Sequence, residues 1–337
     1  MPLFIATRGS ALALAQANMV LAQCRAAFPN LDFELKIIKT TGDKLQTASL
    51  AQESKSLPKG LFTKELEVAL LENKADLAVH SLKDLPTELP TGLKLGAVGK
   101  RADVRDVLIY RDAAFFSSAI TGQHRGEGPS STSARRGFKA GSGIQDLPAG
   151  TVVATSSTRR RAQLLVLNPG LKTPDIRGNV LTRMQKIAEK PELDATILAL
   201  AGITRLNYRI TSVGHLEGES VPQGLLATIL DTNDMLPCVG QGAIGIEIRQ
   251  GDKNVENVCE RLNDTQTFQC VISERAFLAG MGGGCQSPVA AYAVVSDGKL
   301  HVRALSFASG PVRRASATGL PHQAAELGRQ LALELKP

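Results

Sequence analysis

Short apolar runs that end in polar residues and lead straight into helical patterns recur along this chain, and that recurrence narrows its fold more than any other feature. Residues 3–7 form an apolar run, Ser10 is placed to cap a helix, and helical spacing continues to about residue 28. Residues 33–39 are β-like, 62–73 carry apolar residues at helical spacing, and 76–82 are β-like again. The pattern restarts at 151–156 with a helix from about residue 158, and another strand follows at 195–200. Such βαβ alternation predicts an α/β fold with a mainly parallel sheet. Residues 240–248 are apolar and glycine-containing, as expected of a strand returning to an earlier sheet. A third unit begins near residue 263, with a helix, a Gly-Gly-Gly-Cys loop, β-like runs at 289–295 and 300–307, and a final helix from about residue 321. Residues 113–147 are rich in Gly and Ser without apolar periodicity, which reads as a flexible surface insertion. The expected organisation is therefore a first α/β lobe over 1–112 and 241–262, an insertion at 113–147, a second lobe over 148–240, and a C-terminal domain over 263–337.

The 337 residues are enough for two or three domains at about 150 residues each. Lys and Arg number 39 against 32 Asp and Glu, a formal charge of +7 that favours anionic partners. Aromatic residues make up only 4% and Trp is absent, so the stacking platforms of a single-strand nucleic-acid binder are scarce. Five cysteines, Cys24, Cys238, Cys259, Cys270 and Cys285, form no CxxC pair. This argues against a disulfide framework and a zinc site, and for a reducing compartment. The N-terminus reads as a first strand rather than a signal peptide, and no apolar run reaches 18 residues, so no membrane span is expected.

Four segments carry the chemistry. His80-Ser81-Leu82-Lys83-Asp84 closes a strand, where α/β folds place ligands. Asp84 there could bind or exchange a proton with a substrate nitrogen, or could be a solvated turn residue acting as a helix cap. Thr155-Ser156-Ser157-Thr158-Arg159-Arg160-Arg161 joins a strand to a helix. Hydroxyls, helix N–H groups and guanidinium groups together suit carboxylate or phosphate, and the bland alternative is a solvated basic face. Arg177, Gly178, Asn179, Arg183 and Arg205 continue the theme, Arg8 and Ser10 repeat the strand-to-helix arrangement, and Lys55 and Lys59 bracket a polar loop. Together they suggest a cleft holding a polyanion. Gly282-Gly283-Gly284-Cys285 leaves the thiol little side-chain bulk around it. It is read either as an exposed reactive Cys or as a buried one beside a tight turn; a Cys/His hydrolase with His80 as base is a further alternative lacking the local signatures.

The blocks ATRGSALALAQ (6–16), KGLFTKELE (59–67), AVHSLKDLP (78–86), ATSSTRRRAQL (154–164), IRGNVLTR (176–183), PCVGQGAIGIE (237–247) and GGGCQSPVAAYA (282–293) resemble, in order and over nearly the whole chain, the porphobilinogen deaminase (hydroxymethylbilane synthase) family. The resemblance implies two lobes like those of periplasmic binding proteins flanking a cleft, plus a small C-terminal α+β domain. It implies a transferase that joins four porphobilinogen molecules head to tail with release of ammonia, giving the linear tetrapyrrole hydroxymethylbilane. A dipyrromethane cofactor, attached by a thioether to Cys285, primes the chain. Asp84 matches the catalytic carboxylate. Lys83, Ser156, Ser157, Arg159, Arg160, Gly178, Arg183 and Arg205 match cofactor contacts. Arg8, Ser10, Lys55, Lys59, Thr155, Arg177, Asn179 and Gln241 match substrate contacts. Porphobilinogen and the growing oligopyrrole are the implied partners, with no nucleic acid or membrane, in a cytoplasmic monomer, or a plastid enzyme if a transit peptide has been removed. The chain departs from the family in the length of 113–147, in a slightly short C-terminus, and in Gly282, where a Glu is frequent. A non-catalytic two-lobed anion-binding protein is the alternative, with a nucleic-acid binder behind it.

Overall fold

The computed structural model describes residues 2–41, 62–121, 136–284 and 287–336. The chain opens with β1 (Leu3–Arg8), α1 (Ala11–Ala27), β2 (Phe33–Ile38), α2 (Lys64–Leu71), β3 (Leu77–Ser81) and β4 (Leu93–Val98). Ser10 caps α1 by accepting from the Ala13 amide at 3.4 Å. The helix then buries Ala17, Val20, Leu21 and Cys24 against Ile5, Leu77 and Val79 of the strands beneath it. Burial holds the Cys24 thiol up at about 11.

Next come β5 (Asp106–Arg111), α3 (Ala113–Thr121), β6 (Val153–Ala154), α4 (Thr158–Leu167), α5 (Val180–Glu189), β7 (Ala195–Ala199), α6 (Leu200–Arg205), β8 (Arg209–Ile210), β9 (Leu216–Glu217) and β10 (Leu225–Ile229). Every residue of β5 is buried, because apolar layers cover both of its faces. Val107 and Ile109 pack with Met184, Ile187 and Leu198 on one side, while Leu108 and Tyr110 pack with Leu164, Ile197 and Met235 on the other.

The chain continues with β11 (Ile244–Arg249), α7 (Lys253–Leu262), α8 (Thr265–Gly280), β12 (Val289–Ser296), β13 (Lys299–Ser306), β14 (Arg313–Gly319) and α9 (Ala324–Leu335). The last three strands form an antiparallel meander. Helices α8 and α9 cover it with Phe277, Leu327 and Leu331. They meet so closely that a Cβ at Gly328 would fall on the Ser273 carbonyl.

Two compact units result: Met1–Asp103 with Pro237–Pro337, and Val104–Leu236. The lobe boundary expected at residue 112 is corrected by β5, which pairs with β7 and β10 in the second unit's sheet. The sheets are mixed rather than mainly parallel. Among the described residues the first runs β2-β1-β3-β11-β4, and β11 lies antiparallel to both of its neighbours. In the second, order β10-β5-β7-β6, β6 and β7 alone are parallel. The insertion also needs correction. Phe138, Ile144 and Leu147 are buried in the second unit's core, and the Phe138 amide donates to the Arg111 carbonyl at 2.8 Å. Three apolar residues at irregular spacing therefore form a packed segment that periodicity could not reveal; residues 122–135 lie outside the described residues.

Candidate functional site

In the first unit, β1 and β3 are adjacent and parallel, so Arg8 and Ser81 leave the sheet at the same edge. The carboxyl edge of parallel strands is where α/β sheets take ligands. A pocket there is lined by Arg8, Ser10, Gln16, Phe62, His80, Ser81 and Asp84. The Arg8 guanidinium lies 4.2 Å from the centre of the Phe62 ring, a cation–π contact that fixes its direction. Gln16, buried, donates from Nε2 to Ser81 Oγ at 2.9 Å.

Asp84 ends a 3₁₀ turn, Leu82–Asp84, directly after β3. Leu82 and Leu85 are both buried, which pins the turn on either side and leaves the Asp84 side chain exposed. Arg275 of α8 holds the next stretch by donating to the carbonyls of Leu85, at 3.0 Å, and Pro86. Gly240, at a φ of +71°, brings the returning chain so close that a Cβ would lie 3.2 Å from the backbone of Leu82 and Lys83. Its neighbour Gln241, expected to touch substrate, is fully buried. The Gln241 carbonyl accepts from Arg101 Nε at 2.9 Å, and Arg101 pairs in turn with Glu274. The Gln241 backbone thus helps hold the turn that leads into β11.

In the second unit the β6–α4 junction is built from the hydroxyls singled out in the sequence. Ser157 caps α4 by accepting from the Arg160 amide, and Thr155 Oγ1 accepts from the Ser157 amide at 3.2 Å. Ser156 Oγ donates to the Ile176 carbonyl at 2.8 Å. Thr155 is buried, and its hydroxyl helps hold the turn.

Arg159 and Arg160 are buried, and both reach Asp106 of β5, at 2.8 and 2.7 Å. Their other terminal nitrogens donate to the carbonyls of Leu236 and Ile197. Burial alone would raise the Asp106 carboxyl, but the Arg159 and Arg160 charges outweigh it and hold that carboxyl well below the usual carboxylate range. Two guanidinium groups thus share one carboxylate. Asp106 carried no sequence signal, because its partners lie more than fifty residues along the chain.

Asn179 caps α5, accepting from the Thr182 amide at 2.8 Å. Gly178, at a φ of +118°, precedes it, and its carbonyl accepts from Arg183 Nε at 2.8 Å. Arg177 is exposed. Arg205 lies in the last turn of α6, and burial pushes its guanidinium down to about 10. Lys55, Lys59 and Cys285 lie outside the described residues. Among the described residues no helix is long and apolar enough to cross a membrane, and no cluster of His, Cys, Asp or Glu could hold a metal ion.

These features define an α/β protein with an exposed carboxylate sharing a pocket with Arg8 in the first unit and two buried arginines on one carboxylate in the second. The comparisons narrow the class. The family model "Porphobilinogen deaminase, dipyromethane cofactor binding domain" matches residues 3–257, and "Porphobilinogen deaminase, C-terminal domain" matches 268–337. A porphobilinogen deaminase of Syntrophobacter fumaroxidans is 39% identical, with 98% of this chain and 93% of the relative covered. That of Thermus thermophilus is 38% identical, with 98% and 94% covered. Among solved structures, the BenM effector binding domain with benzoate aligns at a TM-score of 0.39 and 15% identity, covering 77% of this chain and 90% of that one.

The chain belongs to the porphobilinogen deaminase family. The expected transferase activity, the place in tetrapyrrole biosynthesis and the dipyrromethane cofactor follow from that membership. The hydrolase and pure binding-protein alternatives fall with it. The relatives named are bacterial, which lends the plastid alternative no support.

Proposed function

We propose that Asp84 is the carboxylate that drives deamination and coupling of porphobilinogen, and that Cys285 carries the dipyrromethane. One observation carries the reading: an exposed carboxylate, pinned by buried leucines, shares a pocket with Arg8 at the carboxyl edge of β1 and β3.

The donor set suits a cofactor bearing several carboxylates. Arg159 and Arg160 share the single carboxylate of Asp106, and Arg160 Nε is buried without a hydrogen-bond partner among the described residues. Arg159, Arg160, Arg183, Arg205, Lys83 and the hydroxyls at the head of α4 would hold it, with Gly178 shaping the loop. When bound, the dipyrromethane supplies the primer to which pyrrole units are added.

The chain's own residues do the rest. Arg8 and Arg177, with Ser10 and Asn179 beside them, bind substrate carboxylates; Lys55 and Lys59 are proposed to assist. Clustered guanidinium groups do this with directional, paired bonds. Asp84 donates a proton at the aminomethyl nitrogen as ammonia leaves. Its negative charge then faces the cationic pyrrole that remains. Asp84 finally accepts the ring proton lost when the new carbon–carbon bond forms, which returns it to its starting state. A cytoplasmic monomer completes the proposal.

The test is Asp84→Asn, which keeps volume and an acceptor but carries neither charge nor transferable proton. Turnover to hydroxymethylbilane should fall by about 10²–10⁴-fold, with the protein still folded. Turnover within a few-fold of the parent would make Asp84 a turn residue only.

A further inference from the structure

Two adjacent residues of α8 grip the Asp84 turn, one on each side. The turn itself is only three residues of 3₁₀ helix, a form with poor hydrogen-bond geometry. Residues 85–87 then run on without joining a strand or helix, so their carbonyls have no ladder to pair them. Arg275, 8% exposed, supplies the missing donors. It reaches three successive carbonyls: Leu85 at 3.0 Å, Pro86, and Thr87 at 3.3 Å. A planar guanidinium with five N–H groups can span such a row, whereas the single ammonium of Lys presents its donors from one point.

Glu274 holds the other side. Its fully buried carboxylate accepts from the Gly240 amide at 2.8 Å and the Ala293 amide at 2.9 Å, and takes both terminal nitrogens of Arg101 at 2.6 and 2.9 Å. Gly240 is the residue pressed against the backbone of Leu82 and Lys83. Glu274 therefore fixes the wall at the entrance of the turn, and Arg275 fixes its exit. Successive residues of an α-helix point about 100° apart, which lets two neighbours reach two sides of one turn. Asp84 lies between the two grips with its side chain exposed.

We propose that Glu274 and Arg275 are positioning residues for the reaction: together they clamp the backbone on either side of Asp84 and so set where its carboxylate stands in the pocket. This rests on Asp84 being the catalytic carboxylate. Neither residue lines the pocket, so both act through the chain that carries Asp84. Substrate carboxylates are left to Arg8 and Ser10, which lie on β1 and at the head of α1, away from the clamp.

The experiment is steady-state kinetics of the cofactor-loaded enzyme with porphobilinogen, loading being checked by intact mass. Arg275→Met keeps length and an apolar stem but no donor. Its kcat should fall by about 10²-fold, the cost of a reacting group displaced by about 1 Å, with KM within a few-fold of the parent. A raised KM with kcat intact would overturn the proposal. The same change is then made in Asp84→Asn. A residue that acts only through Asp84 has little left to lose there, so the further loss should be under about threefold. An equal loss in both backgrounds would overturn the proposal, because general structural damage does not depend on the charge at residue 84.

A second measurement needs no activity and uses Arg275→Lys, which keeps the charge but not the fork. Hydrogen exchange of the full chain should be at least about tenfold faster in peptides covering 82–89, with β1 and β13 unchanged. Unchanged exchange at the turn overturns the proposal. The two readings fail separately: near-normal turnover in Asp84→Asn refutes the catalytic carboxylate, while an inactive Asp84→Asn with an undiminished Arg275→Met effect refutes the clamp alone.

Discussion

Replacing Asp106 with Asn should loosen the second unit more than any change at the pocket, although Asp106 touches no proposed substrate group. The carboxylate accepts from Arg159 Nη2 at 2.8 Å and Arg160 Nη2 at 2.7 Å, with all three side chains almost wholly buried. Asn retains one acceptor and so keeps one of these bonds, without its charge assistance. Two buried guanidinium groups then lose the charge of the carboxylate they share. Breaking a buried pair from one side costs about 3–5 kcal/mol, a large share of the roughly 5–15 kcal/mol that holds a domain together.

The assay is a urea series read by hydrogen exchange in peptides of α4, because a chain with two units need not unfold in one step. The pH dependence has a definite sign. The folded carboxyl titrates below its unfolded value of about 3.9, so its contribution is present above that value and is lost as pH falls through the lower folded one. The difference between parent and variant should be flat above about pH 5 and shrink below about pH 4. A loss under about 1 kcal/mol at neutral pH, the worth of an ordinary hydrogen bond, would refute the reasoning.

Three further outcomes are expected. Cys285→Ser should purify without the dipyrrole mass, while the parent carries it on a peptide containing Cys285; an adduct on Cys24, Cys238, Cys259 or Cys270 would refute the assignment. Leu147→Ala should cost about 2–5 kcal/mol in a denaturant titration, since Leu147 is buried in the second unit's core; a cost near zero would return 136–147 to the status of a loose loop. Gly178→Ala should impair cofactor loading, scored by intact mass, because its φ of +118° disfavours a side chain and a Cβ would stand 2.7 Å from Thr182 Cγ2; normal loading would show that the loop can shift.

Much of the architecture was legible where local patterns matched the final state. The Ser10 cap, the α4 helix from Thr158 and the β3 strand ending near Asp84 follow from hydroxyl caps and apolar spacing. The illegible parts depend on distant partners. Asp106 looks like any strand residue until Arg159 and Arg160 arrive beside it, and the place of β5 turns on pairing with β7 and β10. Gly240 and Gly242 flank Gln241 in a short motif, and only the folded chain shows that they allow close approach to Leu82 and Lys83 and to Ala102 and Asp103. Glu247 is one acidic residue in an apolar strand, and only the register with β3 sets it against His80.

The place of β11 has a consequence for how the chain is made. It lies between β3 and β4, yet Ile244–Arg249 leaves the ribosome after the whole of Val104–Leu236. Until then β3 and β4 have no strand between them, and each carries an open edge suited to mispairing. At about 5–20 residues per second the wait lasts from several seconds to half a minute. The second unit is one continuous stretch with its own core, so its contacts are all at hand once Leu236 has been added. The order of synthesis therefore makes the middle of the chain the first part able to fold, and leaves the strand that completes the first sheet, beneath Asp84, until near the end.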